Sequence, residues 1–559
     1  MAKRRNHLSG WTRASCLVAV LVLLPVLGIA SQAALPSNGL WSHLAATVLP
    51  ITFVNTLILL AGVAAVSGIV GTMLAWLVTA YDFRGRALLE WVVLLPLAVP
   101  SYIIAYAYLD ILHPLGAFQG AIRWMFGYSS PREFRLPDIR SMPGCIFLLG
   151  FVLYPYVYLP TRAMFVTQSA NLIEAARTLG VTQRAVLWKV ALPLARPAIA
   201  VGISLALMET LNDIGASEFL GIRTLTVSIY STWVTRSDLP GASQIALLLL
   251  FLVVLLVSLE RWARRKQRYS TGTQRFNPAA PRRVHGWRSP ALFALGILPA
   301  LIGFAIPGLY LAVEAFKRWN FTGISDRLAV EALNTLSFAS IATVLAVVLG
   351  VVIAYAGRLR PGALTGWTYR LSTMGYAAPG TVIAIGSLIV LASFDRIVDQ
   401  TAQRWFGYST GLLLMGSGAA LIYVYVVRFL AISAGSIDAG LSRIPLSLDH
   451  ASRTLGKTAN QTFMNVHLPL SKTALATGAL LVFVDCVKEL PATLLLRPLN
   501  FETFATHLYG EAARGTYEEA SLVALAIVAV GILPVAMLSR VGRKAADQHQ
   551  KIMGHAASS

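Results

Sequence analysis

Val54-Asn-Thr-Leu-Ile-Leu-Leu-Ala-Gly-Val-Ala-Ala-Val-Ser-Gly-Ile-Val-Gly71-Thr-Met-Leu-Ala-Trp-Leu-Val-Thr-Ala80 runs for 27 residues without a charge. A helix needs about 20 apolar residues to cross the hydrocarbon core of a bilayer, so this stretch predicts a membrane span. It has a twin. Leu333-Asn334-Thr335-Leu336 repeats Val54-Asn55-Thr56-Leu57 at an offset of 279 residues, and Gly350 falls where Gly71 does.

The rest of the chain agrees with a polytopic membrane protein. Of 559 residues, 56% are hydrophobic and only 13% charged, about half the charged share of an ordinary soluble domain. The mean hydropathy is +0.66. Disorder, a coiled coil and a typical soluble enzyme are excluded. The net charge of +21 would suggest nucleic acid in a soluble chain. Here the basic residues lie mostly between apolar runs, as in loops held against anionic lipid, and no nucleic-acid partner is expected. The odd cysteine count, Cys16, Cys145 and Cys486, argues against a disulfide framework or thiolate metal site.

Twelve apolar stretches are read as spans: 15–33, 53–80, 88–112, 144–166, 194–212, 242–260, 291–316, 333–356, 368–392, 411–433, 474–495 and 519–539. The first, behind Met1-Ala-Lys-Arg-Arg, resembles a secretory signal, with Ser31-Gln-Ala33 as a possible cleavage site. A retained helix is preferred, because each half of the chain then holds six spans. With both termini cytoplasmic, 32 of the 46 Lys and Arg fall on the cytoplasmic side, as the positive-inside rule requires. The expected organisation is a first repeat at 1–262, a basic cytoplasmic linker at 263–289, a second repeat at 290–540 and a cytoplasmic tail at 541–559.

Further matches support tandem duplication. Pro100 pairs with Pro379. Arg123-Trp124 with Phe126-Gly127-Tyr128-Ser129 pairs with Arg404-Trp405-Phe406-Gly407-Tyr408-Ser409. Arg177-Thr178-Leu179-Gly180 pairs with Arg453-Thr454-Leu455-Gly456, and Leu192-Pro193-Leu194 with Leu468-Pro469-Leu470, both at an offset of 276. Six spans per half make the halves parallel repeats, with a pseudo-twofold axis along the membrane normal and a pathway expected at their interface. The fold class is therefore an all-α integral membrane protein of about twelve helices.

Between the fourth and fifth spans of each half lies a polar loop, about 168–193 and 444–469. In the first, Asn171 suits a helix cap with Glu174 at the third helical position, and Gly180 suits the left-handed residue that ends the helix. A second helix follows from about Thr182 to Pro193. The reading is a helix–Gly–helix element at the membrane surface, made twice.

These residues carry a resemblance. Glu174, Ala175, Ala176, Gly180, Val190, Leu192 and Pro193 resemble the signature loop of the inner-membrane permeases of binding-protein-dependent ABC importers. The second copy reads His450, Ala451, Ser452, Gly456, Val466, Leu468 and Pro469, with His for the acidic residue and Ser for Ala. The resemblance implies that each loop is a coupling helix docked on a cytoplasmic ATPase. It also implies two ATPase copies, one periplasmic binding protein, a single permease chain per complex, and the bacterial inner membrane. The double length, with Asp485-x-x-Lys488-Glu489-Leu-Pro-Ala-Thr and Leu211-Asn-Asp213-Ile-Gly, resembles the ferric-iron permeases. Importers of thiamine, phosphonate or polyamine share the frame, and an ion-coupled secondary transporter is the competing class.

Ala451-Ser-Arg-Thr-Leu-Gly456-Lys457-Thr458 comes near a phosphate-binding loop but lacks its first Gly and follows no strand pattern. No cofactor is expected on this chain; ATP and Mg belong to the partner ATPase. No catalytic residue and no resident metal site is assigned. Glu209 and Asp213 lie four residues apart, and Asp485 and Glu489 repeat them 276 residues on. Carboxylates near hydrocarbon usually face water or a partner, and oxygen ligands suit a hard cation. These four are candidates for a substrate pathway. The alternative is that Lys488 simply pairs with Asp485 or Glu489.

Overall fold

The computed structural model describes residues 9–36, 40–167, 182–264, 281–323, 326–516, 518–534 and 536. The described residues are helical almost throughout. Only helices and closed barrels satisfy every backbone group within lipid. Among the described residues ten helices are long and apolar enough to cross a membrane, and eleven if the bent pair Arg86–Ala98 and Ser101–Ile111 is one span. The twelfth predicted segment is helical over 518–534. The three cysteines are free.

The helices form two compact units. One comprises Met1–Val48, Ser228–Leu250 and Ile324–His507; the other comprises Leu49–Val227, Phe251–Gly323 and Leu508–Ser559. Neither unit is one contiguous repeat. The Gly10–Ala33 helix packs on Asp326–Leu359, Ala363–Ser372 and Gly380–Phe406 of the second repeat. In the other unit, Arg288–Ala300 and Ile306–Thr322 pack on first-repeat helices, including Arg86–Val92 and Ser101–Ile111. Each repeat's first span thus belongs to the unit built on the other repeat.

Each repeat motif has a packing reason. A Cβ on Gly71 would lie 2.7 Å from the Tyr154 carbonyl oxygen, and one on Gly350 would lie 2.6 Å from Ser433 Oγ. The same glycine lets the second and fourth spans of each repeat touch at the backbone, the usual way to gain contact in lipid. The Asn-Thr pair is also explained. Asn55 Nδ2 donates to the Arg223 carbonyl at 3.2 Å, and Asn334 Nδ2 to that of Glu502 at 3.1 Å. Thr56 Oγ1 accepts from Leu225 N at 3.0 Å, and Thr335 Oγ1 from Phe504 N at 2.9 Å. The opening motif ties each second span to the chain beyond the fifth.

Pro100 and Pro379 stand just before the helices Ser101–Ile111 and Gly380–Phe406. Proline is tolerated at a helix start because no donor is lost there. The helix axis turns by 93° between Arg86–Ala98 and Ser101–Ile111.

Candidate functional site: a helix–Gly–helix element and two buried carboxylates

The second predicted loop is a helix–Gly–helix element. Leu446–Thr454 is helical and stops at Gly456, whose φ of 73° is left-handed. Lys457 N donates to the Ser452 carbonyl at 3.1 Å, closing the end. Thr458 then starts Ala459–Thr462 with a full capping box through Gln461. A π-turn, Phe463–His467, leads into Leu468–Val487, with Pro469 in its first turn. Ser452 Oγ and Thr462 Oγ1, 2.7 Å apart, clip the two arms together.

The element is bolted to its unit by charge. Asp449 is buried, and its Oδ2 lies 2.5 Å from Arg358 Nη2 of the Asp326–Leu359 helix. Arg358 also donates to the carbonyls of Leu441 and, at 2.9 Å, Ile444. His467 Nε2 lies 3.0 Å from Asp449 Oδ1. Burial alone would raise the Asp449 carboxyl's pKa. The bond and charge of Arg358, with His467 and Arg453, outweigh it and hold the group below the usual carboxylate range. Tyr355 Oη donates to the Ala459 carbonyl at 2.8 Å, and its ring meets Trp11 edge-on and Phe463 at a tilt. His450 and Ala451, with Leu446, Arg453 and Leu455, make the exposed face; Ser452 points inward. The departure from the acidic residue of the resembled signature therefore falls on the free face.

In the first copy Glu174, Ala175, Ala176 and Gly180 lie outside the described residues. The described end matches. A π-turn, Leu187–Ala191, leads into Leu192–Asn212, again with proline, Pro193, in the first turn. The bolt is not duplicated in sequence. Thr79, Ile173 and Ala191 stand where Arg358, Asp449 and His467 do.

The four carboxylates divide into two kinds. Leu192–Asn212 ends before Asp213, and Leu468–Val487 before Glu489. Glu209 and Asp213 therefore do not share a helix face, nor do Asp485 and Glu489; the spacing of four held only while the helix continued. Asp213 instead accepts from Ser217 N at 2.9 Å, and Glu489 from Ala492 N and Thr493 N at 3.0 Å. Each carboxylate caps the short helix that follows its span, Gly215–Phe219 or Pro491–Leu496. Glu209 and Asp485 are half-buried, and Asp485 lies 2.8 Å from Lys488. Lys488 thus pairs with Asp485, as the alternative reading had it.

The two caps are stabilised differently. Glu489 Oε1 lies 2.5 Å from Arg428 Nη1, and Thr493 Oγ1 donates to Oε2 at 2.7 Å. Arg428 sits in mid-helix within Gly418–Ser442. The tally of 32 cytoplasmic Lys and Arg counts Arg428 as one of them; the structure corrects this, because Arg428 is a buried partner within a helix and not a loop residue. A Cβ at Gly380 would overlap the Arg428 guanidinium, so the missing side chain makes the room. In the first repeat the Gly380 position is Ser101, which donates its hydroxyl to Asp213 Oδ2. Leu149 or Val152 stands near the place of Arg428, according to which offset applies.

Sequence reading missed Arg358, Asp449, His467, Arg428 and the Ser101/Gly380 exchange. A lone Arg within the 411–433 stretch was the available signal, because ionisable groups in a span need a partner. Among the described residues no group of three or more His, Cys, Asp and Glu could hold a metal ion.

With this geometry in place, comparison with known families is decisive. The family of binding-protein-dependent transport system inner membrane components matches twice, at residues 67–269 and 346–546. The chain belongs to this family. The permease is similar to the Fe(3+)-transport system permease protein FbpB 2 of Haemophilus influenzae, 23% identical over 498 residues, which cover 88% of this chain and 90% of that one. Over single repeats it is similar to a putative 2-aminoethylphosphonate transport system permease protein, PhnU, of Salmonella paratyphi A. Identity there is 31%, over 35% of this chain and 68% of PhnU. It is also similar to the sulfate permease CysT of Escherichia coli, with 27% identity over 43% of this chain and 86% of CysT. The permease is a multi-pass membrane transport component and not an enzyme. Family membership implies a substrate-binding protein and an ATPase as partners.

Proposed function

We propose that the permease is the fused, double-length translocation subunit of an ATP-driven importer, and that its cargo is ferric iron. The carrying observation is length. The Fe(3+)-transport relative aligns across both repeats, whereas the phosphonate and sulfate relatives align over about one. A separate ATPase binds ATP and Mg, one copy on each helix–Gly–helix element, with Leu446, His450, Arg453 and Leu455 as the second element's contact face. Both elements and both termini face the cytoplasm, consistent with the excess of basic residues on that side. A periplasmic binding protein delivers substrate to the opposite side. Closure of the ATPase pair then shifts the spans between inward- and outward-facing states, each stabilised by different partner contacts.

The cargo passes near the four carboxylates in this reading. Glu209 and Asp485 offer oxygen ligands, and Asp213 and Glu489 hold the turns beside them. The test is uptake of ferric iron into proteoliposomes holding the permease with its ATPase and binding protein. ATP-dependent uptake that fails without the binding protein is expected. Asp485→Asn with Glu209→Gln should lower uptake about tenfold or more while ATPase docking persists. Uptake driven by an imposed ion gradient without ATPase would overturn the importer reading in favour of a secondary transporter. A second cargo reading, phosphonate, rests on the 31% identity to PhnU; competition by 2-aminoethylphosphonate for the binding protein would favour it.

A further inference from the structure

One cavity takes no part in the proposed transport. It has a volume of about 820 Å³ and is walled by two short segments, 82–85 and 283–293, within a single unit. The construction is firm. Tyr81–Asp82 pairs in parallel with Arg282–Arg283. Val284 N donates to the Asp82 carbonyl at 2.9 Å, and Arg84 N to Ser289 Oγ at 3.0 Å. Gly85, at φ 91°, brings the first segment down onto Phe293, where a Cβ would meet the ring at 2.8 Å. Glycine is required twice over there, by its backbone conformation and by the close approach.

The location is set by the neighbouring spans. The first segment begins two residues after the span Trp41–Ala80 ends, and the second runs into the start of Arg288–Phe321. The uncharged run ends just before Asp82, and the next one begins just after Arg288, so the charge pattern puts the cavity at the edge of the apolar zone, where headgroups are expected. Its lining has two faces. Phe83, Pro290 and Phe293 are apolar, and Arg84, Arg283 and His285 are basic, against one acid, Asp82. Arg84 makes no ion pair among the described residues, and Arg283 reaches Asp82 only at 4.0 Å with both side chains exposed. The nearby arginines are differently occupied: Arg86 and Arg162 grip Glu90 at 3.3 and 2.8 Å.

We propose that this cavity binds the phosphate headgroup of an anionic phospholipid. Arg84, Arg283 and His285 face the phosphate, and the start of an acyl chain lies over Phe83 and Phe293. A free phosphate would use only the basic rim. The cavity is of the size that takes a drug-sized ligand, more than a lone phosphate fills, and Phe83, Pro290 and Phe293 give it an apolar wall that a phosphate alone would not use. Basic pockets between spans at the membrane surface have the right chemistry for such headgroups.

The test uses the purified full-length permease in micelles holding equal phosphatidylglycerol and phosphatidylcholine, with retained lipid counted by native mass spectrometry. Two arginines at the surface predict a preference for phosphatidylglycerol of about twenty- to thirtyfold. In Arg84→Gln with Arg283→Gln, the preference should fall to near parity with the thermal transition unchanged. The exposed pair Arg132→Gln with Arg236→Gln loses the same charge and should keep the preference. Equal retention of the two lipids by the unaltered permease, a measurement that needs no variant, would overturn the proposal. So would an equal drop in both double variants. Displacement of phosphatidylglycerol by inorganic phosphate at matching concentration would make this a soluble-anion site and overturn the lipid assignment.

Discussion

Asp213 and Glu489 occupy the same place in the two repeats and cap equivalent short helices, yet their surroundings differ. Glu489 is neutralised by Arg428 across a gap that Gly380 leaves open. Asp213 has the Ser101 hydroxyl at that spot. The comparison shows that the duplicated feature is the cap, because both short helices need acceptors for their first amides. The way each buried carboxylate is stabilised is free to diverge. The loops between the fourth and fifth spans follow the same pattern: the π-turn and proline recur, while the sequence of the first repeat has Thr79, Ile173 and Ala191 at the places of Arg358, Asp449 and His467.

The largest expected effect breaks the Arg428–Glu489 pair. Arg428→Ala strands a buried carboxylate and should destabilise the permease by about 3–5 kcal/mol. Asp213→Asn strands no cation and should cost about 1 kcal/mol. Thermal unfolding of the two variants side by side measures the contrast, and equal losses would break the comparison. Arg428→Met with Glu489→Gln should recover most of the loss, because the unpaired charge is gone.

A smaller effect is expected from Gly380→Ser, which copies the first repeat's residue into the second. Its Cβ collides with the guanidinium and should cost about 1–3 kcal/mol. Adding Arg428→Leu and Glu489→Asp rebuilds the first repeat's arrangement and should restore the transition temperature. Failure of the triple variant would show that the two solutions depend on more than these three positions.

A further modest effect concerns the bolt. The Asp449 carboxyl titrates below its unfolded value, so its contribution is complete above the unfolded pKa near about 4. It is lost as pH falls through the folded value. Asp449→Asn should therefore cost about 1–2 kcal/mol at neutral pH and remove the loss of stability that the unaltered permease shows as pH falls below the unfolded carboxyl value. Unfolding midpoints against pH check this. In the assembled complex the same variant should lower the transport achieved per ATP hydrolysed, because the element would no longer move rigidly with the Asp326–Leu359 helix. An unchanged ratio would confine the bolt to stability.

Much of this was legible in the sequence because lipid imposes simple rules. Twelve apolar stretches, the repeat offsets of 279 and 276, Gly456 as a helix end and Pro469 in a first turn are local facts that each segment carries alone. The matched Asn-Thr and Gly positions announced a duplication, although not the loops and backbones they bind. The four-residue spacing of Glu209 and Asp213 misled, because periodicity does not reveal that a helix stops between them.

Only the tertiary structure decided which groups meet. Arg428 pairs with a residue 61 positions away, and Arg358 with one 91 positions away. The first span of each repeat settles in the unit of the other. The physical reason is that membrane insertion depends on the hydrophobicity of one segment at a time, whereas a buried charge is stabilised by whatever partner close packing brings within about 3 Å.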